Sequence, residues 1–238
     1  MIRYLIKIIL FFFDQISQKK ILFILKKKFK NNIGLAIDVG AHHGETVSFL
    51  IKNFKFSAIY AFEPNFESYK ILKKKIDSLD ENIILINKGV GIRNEKKFLI
   101  ESTDSTSATY CDFNRNSAYL KRKKLFFNFK VNKKQETQLL NLSTFIKKNK
   151  IKKIDYLKID TEGYELNVLK GLNKHIKNIR LIHFEHHYDD MYKKKYTFHD
   201  IHNYLSKNDF RKIYKLKMFF RKSFEYIYLN NNFFKKNN

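Results

Sequence analysis

From residue 33 onward, short runs rich in Ile, Leu, Val and Phe alternate with stretches whose apolar residues recur every three to four positions. That alternation builds a parallel sheet with crossover helices, because two parallel strands need a connection long enough to return across the sheet. Strands are expected over 35–39, 57–62, 82–87, 154–159 and 179–184, and helices over 45–53, 66–76, 141–148, 164–176 and 197–205. The last two strands, 210–216 and 224–229, are too close in sequence for a crossover helix and must pair antiparallel. The expected fold is α/β: a mostly parallel seven-stranded sheet with a C-terminal antiparallel hairpin and helices on both faces. Between about 91 and 137 the alternation stops, which reads as an insertion over the top of the sheet. It holds a short strand at 97–101, a Ser/Thr-rich loop at 102–109, the basic run Lys121-Arg122-Lys123-Lys124 as a solvated loop, and a strand-like stretch at 125–131.

The chain of 238 residues fits one such domain, 33–238, behind an N-terminal helical appendage, 1–32. The appendage has two apolar runs, 4–13 and 21–25, expected as two helical pieces with basic flanks. The first is too short to cross a bilayer, is interrupted by Lys7, and is not followed by a small-residue cleavage site, so no export is indicated. Two readings stand: a helical lid packed on the domain, or peripheral contact with an anionic membrane. Cys111 is the single cysteine, so there is no disulfide framework and the expected compartment is reducing and cytoplasmic.

The formal charge of +25 suggests a polyanion partner. Only seven of the 48 basic residues are Arg, however, and Arg is the residue suited to bidentate phosphate or base recognition. The excess of Lys, Asn, Ile and Phe is the footprint of an AT-rich coding sequence. A solvated basic surface is therefore the expected reading, and nucleic acid is not the expected partner.

Function should lie at the strand ends, where open α/β sheets bind ligands. In Ala36-Ile37-Asp38-Val39-Gly40-Ala41-His42-His43-Gly44-Glu45-Thr46 an acid ends an apolar strand, followed by a glycine turn and a helix start. Such a turn lets backbone approach a ligand closely and presents free helix N–H groups. Asp38 would repel phosphate there but attract a cofactor end bearing an ammonium and a sulfonium. Glu63 ends the neighbouring strand 19 residues past Gly44, the position at which a carboxylate accepts hydrogen bonds from both ribose hydroxyls. The turn is not Gly-x-Gly-x-x-Gly, and no Gly-Lys-Ser/Thr loop occurs. Together these residues favour S-adenosyl-L-methionine (SAM) over NAD.

Asp38-Val39-Gly40-Ala41 with Gly44, the strand end Tyr60-Ala61-Phe62-Glu63-Pro64, and Leu157-Lys158-Ile159-Asp160-Thr161-Glu162-Gly163-Tyr164-Glu165 with Leu169-Lys170-Gly171 resemble the FkbM family of SAM-dependent methyltransferases. The resemblance covers about 35–185, and Lys-Ile-Asp-x-Glu-Gly-x-Glu is its most specific part. It implies a class I methyltransferase, Rossmann-like fold and O-methylation, often of a sugar hydroxyl in a glycan, polysaccharide or glycosylated metabolite. By matching position it implies a cofactor site of Asp38, Val39, Gly40, Ala41, His42, Gly44, Thr46, Glu63, Pro64, Lys88 and Gly89, with Lys88 and Gly89 bordering the adenine. This chain departs from the family in carrying His42 where Asn is usual and Ser143 where Asp is frequent.

A sugar hydroxyl is a poor nucleophile at neutral pH and benefits from a general base. Asp160 at the end of the fourth strand is the candidate, while Glu162 reads as a cap of the following helix. A second cluster runs from His183 to Asp190, with His183, Glu185 and His187 on one face of the strand and His186 on the other. The first three are chemically competent to bind a metal. The favoured reading is an acceptor-binding rim with Glu185 or His186 as base and no metal. An RNA methyltransferase and a non-enzymatic basic binding module are the alternatives. The first would account for the charge but lacks the Asn/Asp-Pro-Pro-aromatic run at 160–163, and the second needs neither Asp38 nor Glu63 as a carboxylate.

Overall fold

The computed structural model describes residues 2–77, 82–102, 108–127 and 129–233. Helix α1 (Ile2–Phe29) leads into β1 (Leu35–Val39), α2 (Glu45–Asn53), β2 (Ala58–Phe62), α3 (Phe66–Ile76) and β3 (Ile83–Ile86). Next come β4 (Gly89–Gly91), β5 (Glu95–Ser102), α4 (Ala118–Phe127), β6 (Val131–Asn141), α5 (Leu142–Lys148) and β7 (Ile154–Ile159). The chain ends with α6 (Glu165–Gly171), a 3₁₀ segment (Asn173–Asn178), β8 (Ile179–His187), α7 (Phe198–Lys207), β9 (Phe210–Lys217) and β10 (Ser223–Asn230). The main sheet has seven strands in the order β3-β2-β1-β7-β8-β10-β9. The first five are parallel, and β10 runs antiparallel to both β8 and β9, as the spacing of the last two strands requires.

Alternation along each strand divides the core into two layers. Ile37, Val39, Leu157, Ile159, Ile182, Phe184 and Tyr226 pack with residues of α5, α6 and α7. Ala36, Tyr156, Leu181 and Ile227 face the other way, onto Leu25 and Phe29 of α1, Val47 and Leu50 of α2 and Leu72 of α3. Burial on both faces is why β7 is buried at every position, as parallel sheets demand.

Several boundaries depart from expectation for identifiable reasons. The N-terminal segment is one helix, not two pieces, since Lys19 and Lys20 propagate a helix as well as their apolar neighbours and no Gly or Pro interrupts it. Within the insertion, the basic run 121–124 belongs to α4, not a solvated loop, because the Ser117 hydroxyl accepts from Leu120 N–H and starts a helix. The expected strand at 125–131 is therefore the last turn of α4 and the approach to β6. Most of the Ser/Thr-rich stretch, 103–107, lies outside the described residues. Strands β4, β5 and β6 form a second sheet of three strands, ordered β4-β6-β5. The expected helix 164–176 ends at Gly171, where a Cβ would lie 2.1 Å from the Gly91 carbonyl oxygen. That close approach lets α6 seat on β4, and Asn173, at φ 47°, then turns the chain into the 3₁₀ segment.

Candidate functional site

The carboxyl ends of β1, β2 and β7 are tied together by backbone. Gly40 N–H and Ala41 N–H both donate to the Phe62 carbonyl, at 2.9 and 3.0 Å, and Asp160 N–H donates to the Val39 carbonyl at 2.9 Å. Gly40 has φ 85°, and a Cβ there would sit 1.8 Å from the Asp160 carbonyl oxygen, so only glycine lets the turn lie against the end of β7. Over these ends opens a cavity of about 310 Å³, within the range of small-molecule sites. Of the expected cofactor residues, Val39, Gly40, Ala41, His42, Thr46, Glu63, Pro64, Lys88 and Gly89 line it. Gly44 does not; it sets the turn with φ 83° and caps α2 by backbone alone.

Glu63 is buried with both carboxylate oxygens anchored: one accepts from His42 N–H at 2.7 Å, the other from Asn65 N–H at 2.8 Å. A carboxylate has about four acceptor positions, so the two bonds fix its orientation and leave capacity toward the cavity. Burial raises its pKa, and the two N–H donors oppose that rise. Asp38 lies behind the wall rather than in it. It is fully buried, and neither carboxylate oxygen has a hydrogen-bond partner among the described residues. Burial pushes its pKa up to about 7, against the pull of Lys158. A buried carboxylate left this way is costly unless a cation completes it.

The motif at 158–165 divides its labour. Lys158 is almost wholly buried and lies 3.0 and 3.2 Å from the Glu225 oxygens and 3.6 Å from Asp160. Asp160 lines the cavity, with its side chain one-third exposed, and burial raises its pKa well above the ordinary carboxylate range although Lys158 opposes the shift. Glu162, at φ 50°, also lines the cavity and accepts from the Tyr192 hydroxyl at 2.6 Å. Its other neighbour, His187, places Nε2 at 3.0 Å. Burial would raise the Glu162 pKa, but His187 overrides it and holds the carboxyl at about 2, while the His187 imidazolium is correspondingly stabilised. Glu165 closes the loop by accepting from Gly163 N–H, the Thr161 hydroxyl and the Tyr196 hydroxyl.

Two expected catalytic residues lie away from the cavity wall. Strand β8 stays regular through His187, pairing His186 with Phe224 and Glu185 with Glu225, so alternation persists to its end. His186 thus faces α7 and packs against the rings of Tyr188, Tyr196 and Phe198, where burial pushes its pKa down to about 3. Glu185 shares the Asp160 side of the sheet but stands behind it, 3.7 Å from His187. Nor do the three residues considered for a metal converge. His183 engages the Tyr156 hydroxyl and Glu225, at 2.6 and 2.8 Å, while His187 engages Glu162 and Asp189. Among the described residues the one cluster with metal-ligand spacing is His42, His43 and Glu45. Its two imidazoles stack 3.7 Å apart at 22°, so their in-plane lone pairs run side by side rather than toward one ion.

Sequence reasoning missed Arg221, which lines the cavity from the β9–β10 turn and is held by Asp14 of α1 at 2.8 Å. It also missed Leu99 of β5 and Tyr110, whose hydroxyl bonds Thr137 of β6, both of which line the same cavity. No local signal marks any of the three, since each arrives through tertiary packing.

The strand order, the glycine turn after β1 and a carboxylate ending β2 define a Rossmann-like fold of the class I methyltransferase type. The chain belongs to the methyltransferase FkbM domain family, whose model matches residues 38–212. Among solved structures it is similar to an FkbM methyltransferase from Methylobacillus flagellatus KT (TM-score 0.55, 16% identity, 83% of this chain and 44% of that one). A putative RNA methyltransferase from Pyrococcus horikoshii (TM-score 0.51, 9% identity, 90% and 84%) shares the fold. So does M. capricolum TrmK, solved with S-adenosyl-homocysteine (TM-score 0.50, 15% identity, 84% and 64%). The chain thus spans less than half of the M. flagellatus protein. A search of curated proteins finds no match. Among the described residues no helix is long and apolar enough to cross a membrane.

Proposed function

We propose that this protein is a SAM-dependent O-methyltransferase acting on a hydroxyl, with a sugar of a glycan, polysaccharide or glycosylated metabolite as the acceptor class. The observation that carries the reading is Asp38, a buried carboxylate with two unpartnered oxygens directly behind a cavity walled by the glycine turn. It fits the cationic end of SAM as a charge partner, and Glu63, fixed by two N–H groups, fits the ribose diol. Lys88, Gly89 and Leu99 supply a mixed polar and apolar wall for the base. Bound there, SAM would supply an electrophilic methyl group on a sulfonium, with a neutral thioether as its leaving group. Asp160 supplies the base: with its pKa raised by burial, its carboxylate can take the hydroxyl proton while the oxygen gains the methyl. Glu162 and His187, paired as opposite charges, hold the loop that carries Asp160 and shape the acceptor side.

Incubation with methyl-labelled SAM, separately with extracted cell-surface glycans and with total RNA, tests the acceptor. Alkali-stable label in sugar residues after acid hydrolysis is expected. Label released by nuclease in the RNA arm, with none on glycans, would move the protein to the RNA-modifying alternative that its basic surface suggests.

The Asp38 role makes a separate prediction. With its pKa near 7, the carboxyl is protonated below neutrality, and a cationic ligand must first displace that proton. SAM affinity is expected to fall as pH drops from 8 to 6, approaching about tenfold per unit below the pKa. Asp38→Asn should bind more weakly at pH 8 and lose the slope. Calorimetric titration across that range checks both, and an equally steep slope in Asp38→Asn would remove the charge-partner role.

A further inference from the structure

Helix α1 and the β9–β10 turn share an apolar edge. Phe13 packs on Phe219 with ring centroids 4.4 Å apart and meets Phe220 edge-on at 5.4 Å, and Arg221 bonds Asp14 beside them. At its other end α1 is pinned where the Arg180 guanidinium lies 4.6 Å from the Phe29 ring and donates to the Lys28 carbonyl. The helix therefore runs along the sheet face and reaches the hairpin tip at Phe13. At 1.5 Å per residue, the part that precedes Phe13 continues for about 16 Å beyond that contact. On that segment Ile8, Ile9, Phe11 and Phe12 are 48, 39, 65 and 62% exposed, and Phe220 at the hairpin tip is 73% exposed.

Phe220 also sits at φ 60°, a left-handed conformation that local energetics would give to Gly or Asn. A bulky aromatic ring there costs stability, and apart from its edge contact with Phe13 most of it faces solvent. The charges around this edge are one-sided. Residues 7–20 carry three lysines, Lys7, Lys19 and Lys20, and one acid, Asp14, which is already paired with Arg221; residues 217–222 carry Lys217, Arg221 and Lys222 and no acid. Lys217 and Lys222 flank the tip and are exposed, as are Lys19 and Lys20 about two turns along α1.

We propose that this edge docks on an anionic bilayer surface, with Phe11, Phe12 and Phe220 entering the headgroup region and the flanking lysines meeting lipid phosphates. Apolar tips surrounded by cations are the pattern of interfacial binding, in which burial and surface potential add. A second copy of this chain is the poorer occupant, because two edges of the same sign on molecules of charge +25 repel. Since Arg221 belongs both to this edge and to the cavity wall, docking would bring the mouth of the proposed methyl-transfer site to the bilayer. The docking itself stands independently of the methyl-transfer reading, because the measurement below contains no methyl donor or acceptor.

Flotation of the purified full chain with vesicles of phosphatidylcholine alone, and of phosphatidylcholine mixed with phosphatidylglycerol, tests the proposal. Binding to the anionic vesicles that weakens as salt is raised is expected. A combined Phe11→Asp, Phe12→Asp and Phe220→Asp variant should lose at least about tenfold in partitioning. Phe220→Gly relieves the left-handed strain, so it should melt no lower than the parent yet bind more weakly, which separates docking from folding. Absence of binding to anionic vesicles at low salt, or undiminished binding by the folded triple variant, overturns the proposal. Self-association of the parent that the same substitutions abolish also overturns it and assigns the edge to a second copy.

Discussion

Asp160→Asn should lower kcat by about two to four orders of magnitude, the range for loss of a general base, while SAM affinity changes little. The amide keeps the shape of the carboxyl at the end of β7 but cannot take a proton. Asp160 N–H, which ties β7 to Val39, belongs to the backbone and survives the substitution, so the cavity wall should remain intact. A pH profile supplies the second half of the test. Burial raises the Asp160 pKa well above that of an ordinary carboxyl, despite the opposing Lys158, so the group becomes competent as a base only as pH rises through that elevated value. In the parent, kcat/KM should climb with pH along an acidic limb displaced upward from the usual carboxylate range, and that limb should vanish in Asp160→Asn. Equal turnover in parent and variant at saturating acceptor would show that the proton leaves by another route. His186→Ala should then be the contrast: its ring lies in the α7 layer among Tyr196 and Phe198, so its loss should lower stability rather than slow the chemical step.

The cavity wall around the glycine turn was legible because its determinants are local. Gly40, Ala41 and Glu63 sit within a few residues of strand ends whose apolar composition marks them, and strand ends in a parallel sheet converge on one edge whatever the details elsewhere. The opposite wall, with Arg221, was less legible because long-range packing builds it. Arg221 reaches the cavity only because Phe13 and Asp14, more than two hundred residues earlier in the chain, hold the β9–β10 turn in place. His186 is expected at an acceptor rim, but antiparallel pairing with β10 keeps β8 regular through His187 and so turns His186 onto the layer of Tyr196 and Phe198. The same pairing delivers Glu225 to Lys158, a partner no spacing in the 158–165 motif announces. Helix α4 was hidden because Leu125 and Phe126, both exposed, look like strand residues by composition and lack an amphipathic pattern to contradict it.

Lys158→Met should destabilise the fold by about 3–5 kcal/mol at neutral pH, the cost of removing one partner from a buried ion pair. The lysine stands in the middle of the sheet, in register with Asp38 on one side and His183 on the other, and its ammonium satisfies Glu225 while facing Asp160. Burial alone would raise the Glu225 pKa; Lys158, with His183, pulls it far below the ordinary value instead. A carboxyl depressed in the folded state contributes stability above its unfolded pKa and loses it as pH falls through the folded one. Without the ammonium that contribution disappears, and Glu225 and Asp160 are left as unpaired carboxylates that folding must protonate or desolvate. The deficit of Lys158→Met, measured by urea unfolding, should therefore be largest at neutral pH and shrink toward pH 4, where both carboxyls take up protons in either state. Adding Glu225→Gln to Lys158→Met removes the stranded charge and should recover part of the loss at neutral pH, although Glu225→Gln alone should destabilise the fold by leaving Lys158 without its partner. A double variant no more stable than Lys158→Met would mean that the lysine acts through packing of its methylenes rather than through its charge. If the charge does govern, the row from Asp38 through Lys158 to Glu225 is one electrostatic unit. The cation that keeps the sheet intact then also sets the proton affinity of the candidate base, and neither property can be altered without moving the other.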